Sequence, residues 1–162
     1  MIPLEVRGLT LTRPWGQFIA ADFKGEETRM WDTKFRGILL LTSAKSWDKN
    51  WKEAVAATRP DLLKNPLLNR IASMAFDEKQ GHIIGVCRLM DSRPMTKDHE
   101  ARALYPSCPG RFAFKLDDFR ASGGGRPICG NLGLWKPDPQ LLQSIGYPWD
   151  FPRTPAMQHT PR

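Results

Sequence analysis

The sequence predicts an α+β domain, and three observations carry that prediction. Short runs of strand type recur along the chain, at residues 9–11, 38–42, 82–90 and 111–115. Two or three helical stripes fall between them, without the regular strand–helix alternation of a parallel α/β sheet. The chain has 162 residues, 41% hydrophobic and 10% aromatic, which is enough for one self-sufficient core.

The elements follow in order. Leu9-Thr10-Leu11 alternates apolar and polar residues as a first strand does, and Pro14 suits the first turn of a short helix. Trp15, Phe18 and Ile19 then share one face at i, i+3 and i+4, and the helix ends near Asp22. Arg36-Gly37 turns the chain into Ile38-Leu39-Leu40-Leu41-Thr42, a near-continuous apolar run expected of a strand buried on both faces. Ser46 is the expected N-cap of a helix carrying Trp47, Trp51, Ala54, Val55 and Thr58 on one stripe. Asn65-Pro66 opens another helix, with Leu67, Leu68, Ile71, Ala72 and Ala75 facing inward. Residues 82–90 read as a long strand with Gly85 at a bulge. A polar excursion follows, with a helical turn around residues 99–102.

Residues 111–115 alternate strictly. Phe112, Phe114 and Leu116 fall on one face, Arg111, Ala113 and Lys115 on the other. Ser122-Gly123-Gly124-Gly125 is a loop, and Leu132-Gly133-Leu134-Trp135 a last strand. Prolines recur from Pro137 onward, so beyond Leu141-Leu142 the tail is expected to be extended.

The chain carries 24 Lys+Arg against 17 Asp+Glu, a net charge of +7. A basic chain is drawn to polyanions through phosphate contacts that release counterions, which makes nucleic acid the expected partner class. A basic surface that only solubilises is the alternative. No stretch approaches the ~18 uncharged apolar residues of a membrane span, and residues 1–7 lack the pattern of a secretory leader. No membrane partner is expected.

Cys87, Cys108 and Cys129 are odd in number and widely spaced, as reduced thiols of a cytoplasmic protein would be. No Cys-x-x-Cys or His-x-x-x-His pair exists, and His82, His99 and His159 lie far apart, so no metal is expected. Phosphate-loop, dinucleotide and Ser-His-Asp motifs are missing too, and a cofactor-free monomer is the expectation.

Four segments, in order, resemble the ASCH family. Pro14-Trp15 is similar to the Pro-Trp that opens the family's first helix. Lys24, Glu27 and Arg29 match its Lys-x-x-Glu-x-Arg signature, which an aromatic follows, here Trp31. Phe35-Arg36-Gly37 is similar to its aromatic-Arg-Gly turn into the second strand. Gly130-x-x-Gly133-Leu134-Trp135 resembles the segment that closes its barrel.

The likeness spans residues 9–136. It departs at Asp22, where the family often has Gly, and in the insert between Trp47 and Gly81. It implies a PUA-like fold over residues 1–136, a small β-barrel flanked by helices, with residues 137–162 as a proline-rich C-terminal tail. It also implies a cleft near the signature. Relatives bind RNA, DNA or modified bases, and some members are hydrolases that cut RNA or deacetylate acetylcytidine.

The signature residues have matching chemistry. On an extended chain Glu27, Arg29 and Trp31 share a face, with Lys24 arriving from the helix end. Arg29 can grip a phosphate with two donors, and Trp31 can stack on a base for about 1–3 kcal/mol. Glu27 can accept from an exocyclic amine. Lys24 can contact phosphate or, when desolvated, act as base or nucleophile. The plainer alternative is a structural ion pair with Trp31 in the core. Trp15, Lys34, Arg36, Ser43 and Lys45 are the further candidates for nucleic-acid contact, and Arg111 and Lys115 can extend the basic surface. Trp47 and Trp51, at helical spacing, are assigned to the core.

Binding of nucleic acid, RNA before DNA, or of a modified nucleoside is therefore the leading expectation. A metal-independent hydrolase using Lys24 with Glu27, as ribonuclease or acetylcytidine amidohydrolase, is the second. Against it, Glu27 stands where the acetylcytidine branch has threonine, and no histidine lies in the signature. A protein-interaction adaptor acting through the proline-rich tail is the third.

Overall fold

The computed structural model describes residues 3–152. In chain order the first elements are β1 (Val6–Arg13), α1 (Trp15–Ala20), β2 (Glu26–Arg29), β3 (Ile38–Trp47) and α2 (Trp51–Thr58). After a 3₁₀ turn at Pro60–Lys64 come α3 (Pro66–Asp77), β4 (His82–Pro94), α4 (Lys97–Ala103), β5 (Phe112–Ala121) and α5 (Pro139–Ser144). This is a mixed α+β fold on one five-stranded sheet, ordered β1-β3-β4-β5-β2. Only the β1–β3 pair is parallel; β3–β4, β4–β5 and β5–β2 are antiparallel. Among the described residues no strand ladder joins the edge strands β1 and β2, so the sheet is not closed by backbone pairing. No helix among them is long and apolar enough to cross a membrane.

The apolar run of β3 is explained by its two covers. Leu39 and Leu41 face the main core with Leu9, Leu11, Phe18, Trp51, Val55, Leu68, Cys87, Leu89 and Phe114. Ile38 and Leu40 face a second core with Leu4, Val6, Ile83, Val86, Leu142 and Phe151. A strand with both faces dry shows no polar alternation. The bulge expected at Gly85 is present as a register break: Leu41 pairs with Gly85, but Thr42 pairs with Ile83.

Helix ends are held by side chains the sequence exposes to view. Asn65 caps α3, its Oδ1 accepting from the backbone N–H of Leu67 (2.9 Å) and Leu68 (3.3 Å). At the other end the buried Arg13 donates to the carbonyls of Ala75 (2.8 Å) and Phe76 (3.0 Å), placing a cation where the helix dipole is negative. Asp22 ends α1 with φ 64°. That left-handed conformation favours glycine and is tolerated by aspartate.

Several expectations are corrected. Trp47 does not open a helix; it is the last residue of β3, paired with Arg13 and packed edge-on against Phe76 at 5.1 Å. Ser46 is therefore an exposed strand residue, and α2 begins only at Trp51. The four-residue spacing of Trp47 and Trp51 spans a turn. Leu67 points outward, 54% exposed, because the buried stripe of α3 runs through Leu68, Ala72 and Ala75. Residues 132–135 form a single bridge, Trp135 against Gly8, in place of a strand.

The tail up to residue 152 is not simply extended. It forms α5 and then lays Tyr147, Trp149 and Phe151 on the second core. The apolar face of Ile38, Leu40 and Val86 requires a cover, and proline-rich chain supplies one. The remaining tail positions, 153–162, lie outside the described residues.

Two outcomes test this packing. Phe151→Ala should lower stability in denaturant unfolding by about 3–5 kcal/mol, as for a buried aromatic, where a merely extended tail would give almost no change. Ellman's reagent should titrate two thiols in the native protein, exposed Cys108 and Cys129. Cys87 should react only on unfolding, because burial both blocks it and pushes its thiol pKa well up.

Candidate functional site

The chain after α1 doubles back. The N–H groups of Phe23 (2.9 Å) and Lys24 (3.2 Å) both donate to the Phe18 carbonyl, and Gly25 N–H donates to Arg102 at 2.9 Å. This drives Lys24 inward, where it is 2% exposed, beneath α4. Its Nζ donates to the carbonyl of Ala103 at the end of α4, lies 3.4 Å from Glu27 Oε1, and sits 5.0 Å from the centre of the Trp15 ring.

Glu27, also buried, uses its second oxygen on Arg29 Nη2 at 3.2 Å. The same Nη2 donates to the Thr10 carbonyl of β1 at 3.0 Å. A continuous polar chain therefore runs from α4 through Lys24, Glu27 and Arg29 to β1, and it connects the two edge strands of the open sheet. Burial lowers the pKa of Lys24 from the ordinary 10.5, an effect that Glu27 partly opposes.

Arg29 is the member of this chain that reaches solvent, its side chain 26% exposed. It lines a groove of about 410 Å³ together with Thr10, Thr12, Ala44, Ser46 and the 130–133 segment. That segment is stitched to the free edge of β1. Gly8 and Trp135 exchange backbone hydrogen bonds of 2.7 and 3.1 Å, and Trp135 Nε1 donates to Thr10 Oγ1 at 3.2 Å. The approach needs glycines. A Cβ on Gly8 would fall 2.1 Å from the Trp135 ring, and one on Gly130 would fall 2.2 Å from Thr10 Oγ1. Leu132, at the groove wall, is 98% exposed.

The other candidates are placed apart from this groove. Trp15 is buried, its Nε1 donating to Asp48 at 3.0 Å and its ring packed edge-on against Phe18 and Tyr105. Trp31 lies beyond the end of β2 and packs edge-on against Phe114 at 5.3 Å. Arg36 pairs with Asp91 at 3.3 Å and donates to the carbonyls of Thr33 and Phe35. Ser43 is buried and accepts from Gln17 Nε2 at 3.1 Å. Lys34 and Lys45 are exposed; Lys45 borders a neighbouring hollow with Gln80, Ile128 and Cys129. Arg111 lies 4.6 Å from the centre of the Tyr105 ring and donates to Thr28 Oγ1 at 3.2 Å.

The groove residues Thr10, Thr12, Ser46, Asn131 and Leu132 were not singled out from the sequence for this role. The available signal was the polar half of the first alternating strand, and the glycine pair at 130 and 133.

Among the described residues no cluster of three or more His, Cys, Asp or Glu is arranged to hold a metal ion. Compared with known proteins, the sequence matches no family model and no curated protein.

The polar chain makes a prediction of its own. Lys24→Met leaves the Glu27 carboxylate buried with one cation fewer and should cost about 3–5 kcal/mol in urea unfolding, whereas Lys24→Met with Glu27→Leu should recover much of that loss. In the wild type, the unfolded chain holds the lysine proton up to pH about 10.5, and the folded chain releases it earlier. Lys24 therefore favours folding increasingly as pH rises through that window, and its favourable effect is lost as pH falls through the lowered folded pKa. Stability curves as pH rises toward about 10.5 should be flatter for the double variant than for wild type.

Proposed function

We propose that this chain is a nucleic-acid-binding protein of the ASCH type, with its curled sheet serving as a PUA-like barrel, and that the groove over Arg29 holds single-stranded RNA or a modified base. The supporting observation is the state of Arg29 itself. Its guanidinium is fixed from behind by Glu27 and the Thr10 carbonyl and is partly exposed at the groove. Little side-chain entropy remains to be lost when its remaining Nη1 donors meet a phosphate or the acceptor edge of a base.

The walls fit the same ligand class. Thr12 and Ser46 line the groove with hydroxyls that both donate and accept, while the Thr10 hydroxyl is held by Trp135 and Thr42. Such groups answer a ribose 2′-hydroxyl, which favours RNA over DNA. Leu132 offers an apolar surface to a base face, and the net charge of +7 draws the polyanion in. In this reading Trp15 and Trp31 hold the core, and the bases are met by the groove walls.

A hydrolytic reading rests on one observation, the burial that lowers the pKa of Lys24. Its Nζ is engaged by Ala103 and Glu27, and Lys24 does not line the groove. Binding without turnover is therefore the first reading.

Fluorescence polarisation with labelled single-stranded RNA and DNA tests it. Arg29→Ala should weaken RNA binding at least about tenfold and reduce the salt slope by about 0.7, one single-strand phosphate contact. Leu132→Ser should weaken binding without moving the unfolding midpoint, because this side chain is almost wholly exposed. Equal affinity of both variants and wild type would overturn the reading. Parallel assays with acetylcytidine and with the RNA should show no product; product from wild type but not from Lys24→Met would establish the hydrolase instead.

A further inference from the structure

A second polar hollow, of about 260 Å³, lies on the opposite side of the β2 alternation, bordered by Glu26, Asp91, Arg93, His99, Ala113 and Lys115. It shares no residue with the groove over Arg29. The sheet register explains its composition. Glu26 of β2 stands opposite Lys115 of β5, and Lys115 stands opposite Asp91 of β4. In the next row of the same face Thr28 stands opposite Ala113, and Ala113 opposite Arg93. Four charged side chains, Glu26, Asp91, Arg93 and Lys115, thus border the hollow beside Ala113, and His99 of α4 is the fifth polar one.

The charges in this hollow are unequally satisfied. Asp91 is held by Arg93 and by Arg36. Glu26 is not. It is 6% exposed, and its Oε2 is shut from solvent with no hydrogen-bond partner among the described residues, Lys115 included. A buried carboxylate oxygen without a donor is costly and calls for one. Lys115, directly across the strand pair, is exposed.

His99 accepts at Nδ1 from the Thr96 backbone N–H at 2.9 Å. In its neutral form the ring therefore carries its proton on Nε2, which is left as a donor.

We propose that this hollow binds a small zwitterion of the α-amino-acid type, with its ammonium on Glu26 and its carboxylate on Lys115, Arg93 and His99. The reasoning is one of charge and size. Among the lining residues Glu26 and Asp91 match Arg93 and Lys115 in number, so the lining favours neither a simple cation nor a simple anion. It does have a separated pair, minus on β2 and plus on β5. Side chains opposite each other in an antiparallel pair start about 4.5–5.5 Å apart at Cβ, a span that a compact dipolar guest bridges. The volume lies just under the ~300 Å³ at which drug-sized sites begin, which suits an amino acid. The ammonium meets Glu26 at Oε1, the carboxylate oxygen that is not shut from solvent and has no hydrogen bond of its own among the described residues, in a charge-assisted bond.

The test is an amide NMR titration of the full chain with the proteinogenic α-amino acids, with methylammonium and acetate as single-charge probes. At least one amino acid should shift Glu26, Ala113, Lys115 and His99 saturably, and both single-charge probes should bind at least about tenfold more weakly. Glu26→Gln and Lys115→Met should each weaken binding by about tenfold or more, the loss of one charged hydrogen bond.

Glu26→Gln keeps the shape but removes a negative charge that favours the buried Lys24 cation, so its fold is checked by its amide spectrum, and lost binding with a wild-type spectrum reports on the site. The proposal is overturned if no amino acid saturates by about 10 mM, if methylammonium binds as well as the zwitterion, or if Glu26→Gln leaves affinity unchanged. RNA binding by Glu26→Gln should match wild type, which separates this site from the groove over Arg29.

Discussion

Glu27 is a buried carboxylate shared by two cations, and each cation is anchored to a different part of the fold. Lys24 is tied to the end of α4, and Arg29 to the free edge of β1. Glu27 therefore holds together three elements that no backbone ladder connects. The arrangement is stable only as a unit, because a buried ion without its partners carries most of its desolvation cost uncompensated. It also leaves one guanidinium partly exposed and unable to wander, which is the state a binding groove requires. The same contacts that draw the sheet edges together thus prepare the site.

The two dry faces of β3 impose the second constraint. One face is covered by α1, α2 and α3, and the other by the segment from α5 to Phe151. With both sides of β3 occupied, the two hollows singled out lie at the open edge of the sheet and on its outer β2–β5–β4 face. The groove uses the edge, beside Thr10 and the 130–133 segment. The hollow of Glu26 uses the outer face. Alternation along β2 feeds both: Glu26 points to one and Glu27 supports the other.

Much of the fold was legible. The strand at residues 38–42, the strand from His82, the strict alternation after Arg111 and the Asn65-Pro66 helix start all appear where period and capping chemistry place them. The failures share a cause. Trp47 was read by spacing to Trp51, but its partner is Phe76, 29 positions along the chain by subtraction. The tail was read by its prolines, but Phe151 is drawn to an apolar sheet face that local composition cannot reveal.

In the signature, the residue types announced an ion pair with a nearby indole. Which indole it would be was not in the pattern: Trp15, from the preceding helix, lies beside Lys24, and Trp31 turns to Phe114.

The amino-acid sequence alone determined the class of fold, the positions of most strands and helices, and the clustering of Lys24, Glu27 and Arg29, because periodicity, capping and short-range spacing are local properties. Only the tertiary structure decided which of those charges would meet solvent. Burial depends on what packs from far along the chain. Residues 97–103 and Trp15 enclose Lys24, whereas Gly8 and Gly130 let the 130–135 segment approach β1 closely and leave a groove beside Arg29.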